Sequence, residues 1–214
     1  MTKAAVSSKP QEAGDETAVR SRILDAAFAA FMKSGYAATS TLEIATGARV
    51  SKRELYKLVG NKRGMLIACI RARATRLQVP DNLPVPHDRE TLARVLASFA
   101  TRLLIEITDP TVTAVFRLAI AEAVRAPEVA QALDSIGRET SRSALRQIMA
   151  QGQAAGLLKG GPAELAEQFG GLLWGNLMIS LLLGVAKRPN SREVAARVRD
   201  ATAAFLQFNS LPTG

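Results

Sequence analysis

Sulfur and imidazole are nearly missing from this sequence: it has one cysteine, one histidine and one tryptophan in 214 residues. A single cysteine excludes an internal disulfide framework. Cys69 and His87 together are too few soft ligands for a structural zinc. The same scarcity argues against an enzyme. No Ser/His/Asp or Cys/His set can be assembled, no glycine loop is built to cradle phosphate, and His87 stands alone in a proline-rich stretch. Cys69, which follows Met65 and Leu66, reads as a small buried hydrophobe. The first residues carry no apolar run of the kind a secretory signal has, which leads us to expect a cytoplasmic protein. No cofactor and no metal are implied.

What is present is an ordinary globular composition, 48% apolar and 22% charged, with a formal charge of +9. The distribution of that charge is informative. Residues 19–76 hold twelve Lys/Arg against three Asp/Glu, whereas residues 77–214 hold fourteen against thirteen. The whole excess therefore sits in less than a third of the chain. Such asymmetry points to a polyanion partner for one part and different work for the other.

Periodicity makes the chain all-α. Residues 1–18 are small, polar and patternless and read as a disordered tail. From Ser21 onward Ile23, Leu24, Ala27, Phe28 and Phe31 recur at helical spacing, and Gly35 follows as a C-cap. Ser40 with Glu43 and Ser51 with Glu54 each fit the capping box. They open short helices running to about Thr46 and about Val59. Asn61 caps a fourth helix that ends near Gln78. Val79 to His87, with three prolines, forms a linker. Beyond it, helices are expected near 88–108, 110–125, 127–155, 162–186 and 190–208, several opened by proline, Asp109-Pro110 among them. This divides the chain into a tail at 1–18, a first domain at 19–79 and a second at 80–214.

The helices at 40–46 and 51–59, joined by a tight turn at 47–50, make a helix-turn-helix, in which the second helix can enter the major groove. Ser51, Lys52 and Arg53 stand at its N-terminal end, where base edges are reached and the helix dipole favours phosphate. Ile44, Ala45, Ala48, Val50 and Leu55 supply the apolar contacts between the two helices.

These residues resemble the tetracycline-repressor (TetR) family of transcriptional regulators. The match runs through Ile23-Leu24, Ala26-Ala27 and Phe31, then Gly35-Tyr36, Thr39-Ser40, Ile44-Ala45, Val50-Ser51, Leu55-Tyr56 and Lys62. Arg49 stands where the family's glycine is usual, and Val59 where an aromatic is. The resemblance implies an N-terminal helix-turn-helix domain and a C-terminal helical effector-binding and dimerisation domain. It implies phosphate contacts from Thr41, Tyr56, Lys57 and Lys62, with Ser51, Lys52 and Arg53 facing the groove. Arg53 is the choice for reading guanine, since its planar fork matches O6 and N7. It further implies a homodimer on a pseudo-palindromic, double-stranded operator, released by a small molecule.

Large residues on inward stripes of the second domain are the candidates for lining that molecule's cavity: Phe99, Leu103, Phe116, Ile120, Met149, Trp174 and Met178. With only isolated arginines nearby, an apolar or aromatic effector is expected. Gly171 and Gly175, whose spacing lets a second helix approach closely, and Val194, Val198 and Phe205 are the candidates for the dimer interface. A rival reading exists for Phe169 to Ala186, eighteen residues without a charge: a membrane tether for a helical DNA-binding protein. Against it stand four glycines, Asn176 and Ser180 in the run and an amphipathic helix directly after it, so the expected partners exclude a membrane.

Overall fold

The computed structural model describes residues 9–74 and 84–210. The first part of the N-terminal tail, the expected helix end near Gln78 and most of the proline linker lie outside those residues. The described chain is helical throughout. Its only extended pairing is a single antiparallel bridge between Leu158 and Ser210. The chain folds into two compact units, one made of residues up to 72 together with 118–133, the other of 73–117 and 134–214. The division expected at the proline linker is therefore incomplete, because residues 118–133 fold with the N-terminal unit.

In the N-terminal unit, helices α1 (Lys9–Ser34), α2 (Thr41–Ala48), α3 (Lys52–Val59) and α4 (Lys62–Ala74) surround a core of Ile23, Phe31, Ile44, Leu55 and Met65, each inaccessible to solvent. Helix α1 begins at Lys9, so the described part of the expected tail is helical. Its anchor there is tertiary: the Glu16 carboxylate accepts from Lys57 Nζ at 2.8 Å, a contact that local composition does not reveal. Gly35, at φ 81°, ends α1 as expected. Ser40 and Ser51 accept from the backbone N–H groups of Glu43 and Glu54, both at 3.1 Å, which is the serine half of each expected box. Asn61 Oδ1 caps α4 through the Gly64 N–H.

Helix α2 runs through Gly47, and the turn comes two residues later than its glycine suggested. Val50 N–H returns to Ala45 O and Arg49 N–H to Thr46 O, a Schellman closure with Arg49 in the left-handed position at φ 56°. A non-glycine residue there costs about 1–2 kcal/mol. Departure from the family's glycine is thus tolerated with the turn geometry intact.

Residues 118–133 comprise the end of α6 (Pro110–Glu122) and all of α7 (Pro127–Ala132). Glu122 is buried, and its Oε1 accepts from Ala37 N at 3.1 Å in the loop between α1 and α2. Burial, the Glu128 charge and a hydrogen bond to Glu128 together push the Tyr36 hydroxyl above its ordinary pKa. These polar links tie the segment to the N-terminal unit, though it lies far along the sequence.

The second unit is built on α5 (Arg89–Ile107), the start of α6, α8 (Glu139–Ala154), α9 (Pro162–Trp174), α10 (Leu177–Leu182) and α11 (Ser191–Asn209). Asp88 caps α5 by accepting from Thr91 N, and that bond lowers its pKa. Asp109 accepts from the Thr111 backbone and hydroxyl ahead of α6. Asn190 and Glu193 complete a full capping box at α11, where the pattern at 190 had suggested only a start. The helix expected over 127–155 is continuous, but a π turn (Leu133–Arg138) joins α7 to α8. The expected helix over 162–186 is broken at Gly175, φ 43°, into α9 and α10. No helix among the described residues is long and apolar enough to cross a membrane, because the uncharged run is divided by that glycine.

Helix α11 lays its apolar face on α5 and α9. Val194, Val198 and Phe205 are buried in the unit's own core, and the Phe205 ring meets Phe169 edge-on at 5.3 Å. Their expected place at a dimer interface is therefore corrected: an amphipathic stripe has one apolar face, and here it is already covered. Gly171 and Gly175 do lie at the surface, beside exposed Leu172 and Ile179.

Candidate functional site

Two short helices held at a fixed angle form the first candidate site. Leu55 of α3 and Ile44, Ala45 and Ala48 of α2 are buried, which locks the pair through its apolar faces. The opposite face of α3 carries exposed Lys52, Arg53, Tyr56 and Lys57. Lys52 and Arg53 occupy the first turn, where unpaired backbone N–H groups add to their positive charge. Ser51 uses an oxygen lone pair to cap the helix, and its hydroxyl proton remains able to donate to a phosphate. Thr41 at the start of α2 and Tyr56 on α3 come together, with hydroxyl oxygens 3.1 Å apart. The fold thus joins two residues, fifteen apart in sequence, to each of which the resemblance gave a phosphate contact.

Lys57 shares an exposed ion pair with Glu16 at 2.8 Å. Pairs of this kind are worth at most about 1 kcal/mol, so phosphate can displace the carboxylate. Lys62 is different. Its Nζ donates to the carbonyls of Tyr36, Ala37 and Thr39 at 3.0, 3.2 and 3.1 Å and lies 4.7 Å from the centre of the Tyr36 ring. An ammonium has three protons, and all three are engaged. The expected phosphate contact from Lys62 is accordingly reassigned: this residue clamps the loop between α1 and α2. Replacing it with methionine keeps the stem and strands three carbonyls. We expect a loss of about 1–3 kcal/mol of stability, read as a lowered melting temperature, with no change in the salt dependence of DNA binding. A flattened salt slope in Lys62→Met would return the residue to the phosphate set.

The second candidate site is a cavity of about 420 Å³ inside the C-terminal unit. Leu103 of α5, Phe116 of α6, Trp174 of α9 and Met178 of α10 line it, four of the seven residues picked out from the sequence. Phe99 and Met149 are instead packed in the core, where neighbouring helices fill the space around them. Ile120 is 62% exposed and belongs to the segment that folds with the N-terminal unit. An inward stripe selects for burial, and burial alone does not distinguish core from cavity wall.

Three arginines are among the wall residues that were not foreseen. Arg138 closes the π turn, and Arg142 and Arg146 follow along α8, so that three arginines line the cavity. The expectation of isolated arginines is corrected. Their four-residue spacing was the available signal, because it places all three on one helix face. Asp134 Oδ1 accepts from Arg138 at 2.9 Å and from Arg142 at 3.4 Å, and Glu139 pairs with Arg146. Glu167 is the one acidic residue in the wall. Among the described residues no group of acidic, histidine or cysteine side chains could hold a metal.

Comparison with known proteins matches both parts of the chain to one family. Residues 23–69 match the model of the bacterial regulatory proteins of the tetR family, and residues 94–208 match the C-terminal domain of AefR-like transcriptional repressors. No curated protein matches the chain. Among solved structures, a TetR transcriptional regulator from Agrobacterium tumefaciens is 28% identical, with a TM-score of 0.74, over 89% of this chain and 94% of that one. The flavonoid-responsive regulator FrrA is 27% identical, with a TM-score of 0.77, over 92% of this chain and all of that one (100%). A TetR family regulator from Pseudomonas syringae pv. tomato is 25% identical, with a TM-score of 0.65, over 90% and 97% of the two chains. A positively charged helix-turn-helix and a helical body with its own cavity, each matched to the corresponding family domain, lead to one conclusion: this chain belongs to the TetR family of bacterial transcriptional regulators.

Proposed function

We propose that this regulator is a homodimeric, cytoplasmic repressor that leaves a pseudo-palindromic operator when a small aromatic molecule enters the body cavity. The observation that carries the reading is the coexistence of two sites on one chain. One is a cationic face on α3, the other a cavity walled by Trp174 and Phe116. Thr41, Ser51, Lys52, Arg53, Tyr56 and Lys57 are assigned to DNA, with Arg53 on bases and the others on phosphate or the groove edge. The aromatic effector is supported by the wall's composition and by the relative at 27% identity that responds to flavonoids.

The dimer reading rests on apolar residues left uncovered at the end of the body. Ile179 is 63% exposed, Leu183 72% and Val185 77%, and Gly171, Gly175 and Leu172 are also at the surface. Several large apolar residues exposed within one short stretch of chain favour an association site there. Selection of bound duplexes from a random pool is the test. The full-length chain is expected to enrich two inverted half-sites about one helical turn, or a multiple of it, apart. The parent should sediment as a dimer at micromolar concentration and Ile179→Glu as a folded monomer. Enrichment of a single asymmetric site by a monomeric parent would overturn the proposal.

A further inference from the structure

We infer that the body cavity takes an anionic aromatic ligand, one acid group on an apolar ring system, with Arg142 and its neighbours Arg138 and Arg146 receiving the acid. The inference rests on the reading of this cavity as the effector site and goes beyond it by naming the ligand's charge. The composition of the wall supports it. Leu103 and Ile107 of α5, Phe116 of α6 and Trp174 of α9 give the wall its large apolar residues, and Arg138, Arg142 and Arg146 line the same cavity. A neutral hydrocarbon would cover the apolar residues and leave the arginines unused. An acid group would meet them while its rings lie on Phe116 and Trp174.

The carboxylates that hold these arginines do not cancel them. Asp134 and Glu139 are not part of the cavity wall, and Asp134 is shared between two guanidiniums. Each guanidinium has five N–H donors in a planar fork, so one or two bonds to a carboxylate leave donors for a ligand. Within the wall itself three arginines face a single acid, Glu167. Within the wall, arginines therefore outnumber acids, and the exposed pairs that they make can be exchanged for a ligand's acid group. That arrangement favours the anion over its neutral isostere, since only the anion offers the guanidiniums a charged acceptor.

Two dyes with the same rings separate the possibilities. 1-Anilinonaphthalene-8-sulfonate carries an acid group, and N-phenyl-1-naphthylamine lacks it. Trp174, the only tryptophan in the chain, lines the cavity, so its emission responds to a dye bound there. Loss of the response in Gly170→Leu, which puts a side chain into the free space of the wall, assigns the signal to this site. The full-length protein is expected to bind the sulfonate about tenfold more tightly than the neutral amine, the ratio a charge-assisted hydrogen bond of about 1.4 kcal/mol provides. Arg142→Gln, an exposed position where the helix tolerates glutamine, should weaken the sulfonate by a similar factor and leave the neutral dye unchanged. Arg138→Gln should act in the same direction. Equal affinities for the two dyes, or an equal loss of both in Arg142→Gln, would overturn the anion preference and leave the effector site standing. No Trp174 response to either dye would overturn the effector-site reading, and this inference with it.

Discussion

Phe205→Ala is expected to lower the melting temperature of the chain by about 6–20 °C. The ring is fully buried among α5, α9 and α11 and meets Phe169 edge-on at 5.3 Å. Truncating a buried phenylalanine removes its transfer free energy and leaves a cavity, together about 3–5 kcal/mol. In a chain of this size each kcal/mol moves the midpoint by about 2–4 °C. Domains hold only about 5–15 kcal/mol in total, so a large share of the stability is at stake. Phe208, three residues on and 77% exposed, is the control: Phe208→Ala should change stability by no more than about 0.5 kcal/mol. Thermal unfolding followed by circular dichroism distinguishes them. Were Phe205→Ala to melt like the parent and sediment as a monomer, the residue would belong to the interface and not to the core.

The second large effect concerns DNA. Arg53→Ala should weaken the matched operator by about 1–3 kcal/mol for each base it contacts, in each of two subunits, and should relax preference at those positions. Scrambled duplex should lose much less. Lys57→Ala should behave in the opposite way. Losing one phosphate contact per subunit flattens the slope of log affinity against log salt by about 1.8 for a dimer, alike on matched and scrambled DNA. The Glu16 pair does not blunt this, because it is solvent-exposed and exchangeable. Titrations at several salt concentrations on both duplexes read the two roles separately. Equal weakening of both duplexes by Arg53→Ala, or an unchanged salt slope in Lys57→Ala, would break the docking scheme.

Much of the N-terminal site was legible because its signals are local. Ser40 and Ser51 cap the backbone a few residues ahead, Gly35 supplies a positive φ where α1 must stop, and the charge of 19–76 is a matter of counting. Lys62 was misread for the opposite reason. Its motif position is local, but its three carbonyl partners lie more than twenty residues away, so nothing near it showed that its protons were already engaged. Arg49 shows a related limit: the sequence marks a missing glycine, and only the closed turn shows the strain being tolerated.

By itself, then, the sequence determined the all-α class, most helix starts, the helix-turn-helix and the family. These follow from caps, 3.6-residue periodicity and motif spacing, whose partners lie within a turn or two of the chain. Only tertiary structure decided which apolar residues are core and which are wall. Phe99, Met149, Leu103 and Trp174 look alike as large inward residues, and what separates them is whether a neighbouring helix fills the adjoining space. It likewise decided that α11 spends its apolar face on α5 and α9, and that residues 118–133 fold with the N-terminal unit. It also decided that Arg138 of the π turn and Arg142 and Arg146 of α8 border one cavity. Each of these depends on which surfaces meet across long stretches of chain, and an apolar face or a guanidinium carries no mark of its partner until the chain has packed.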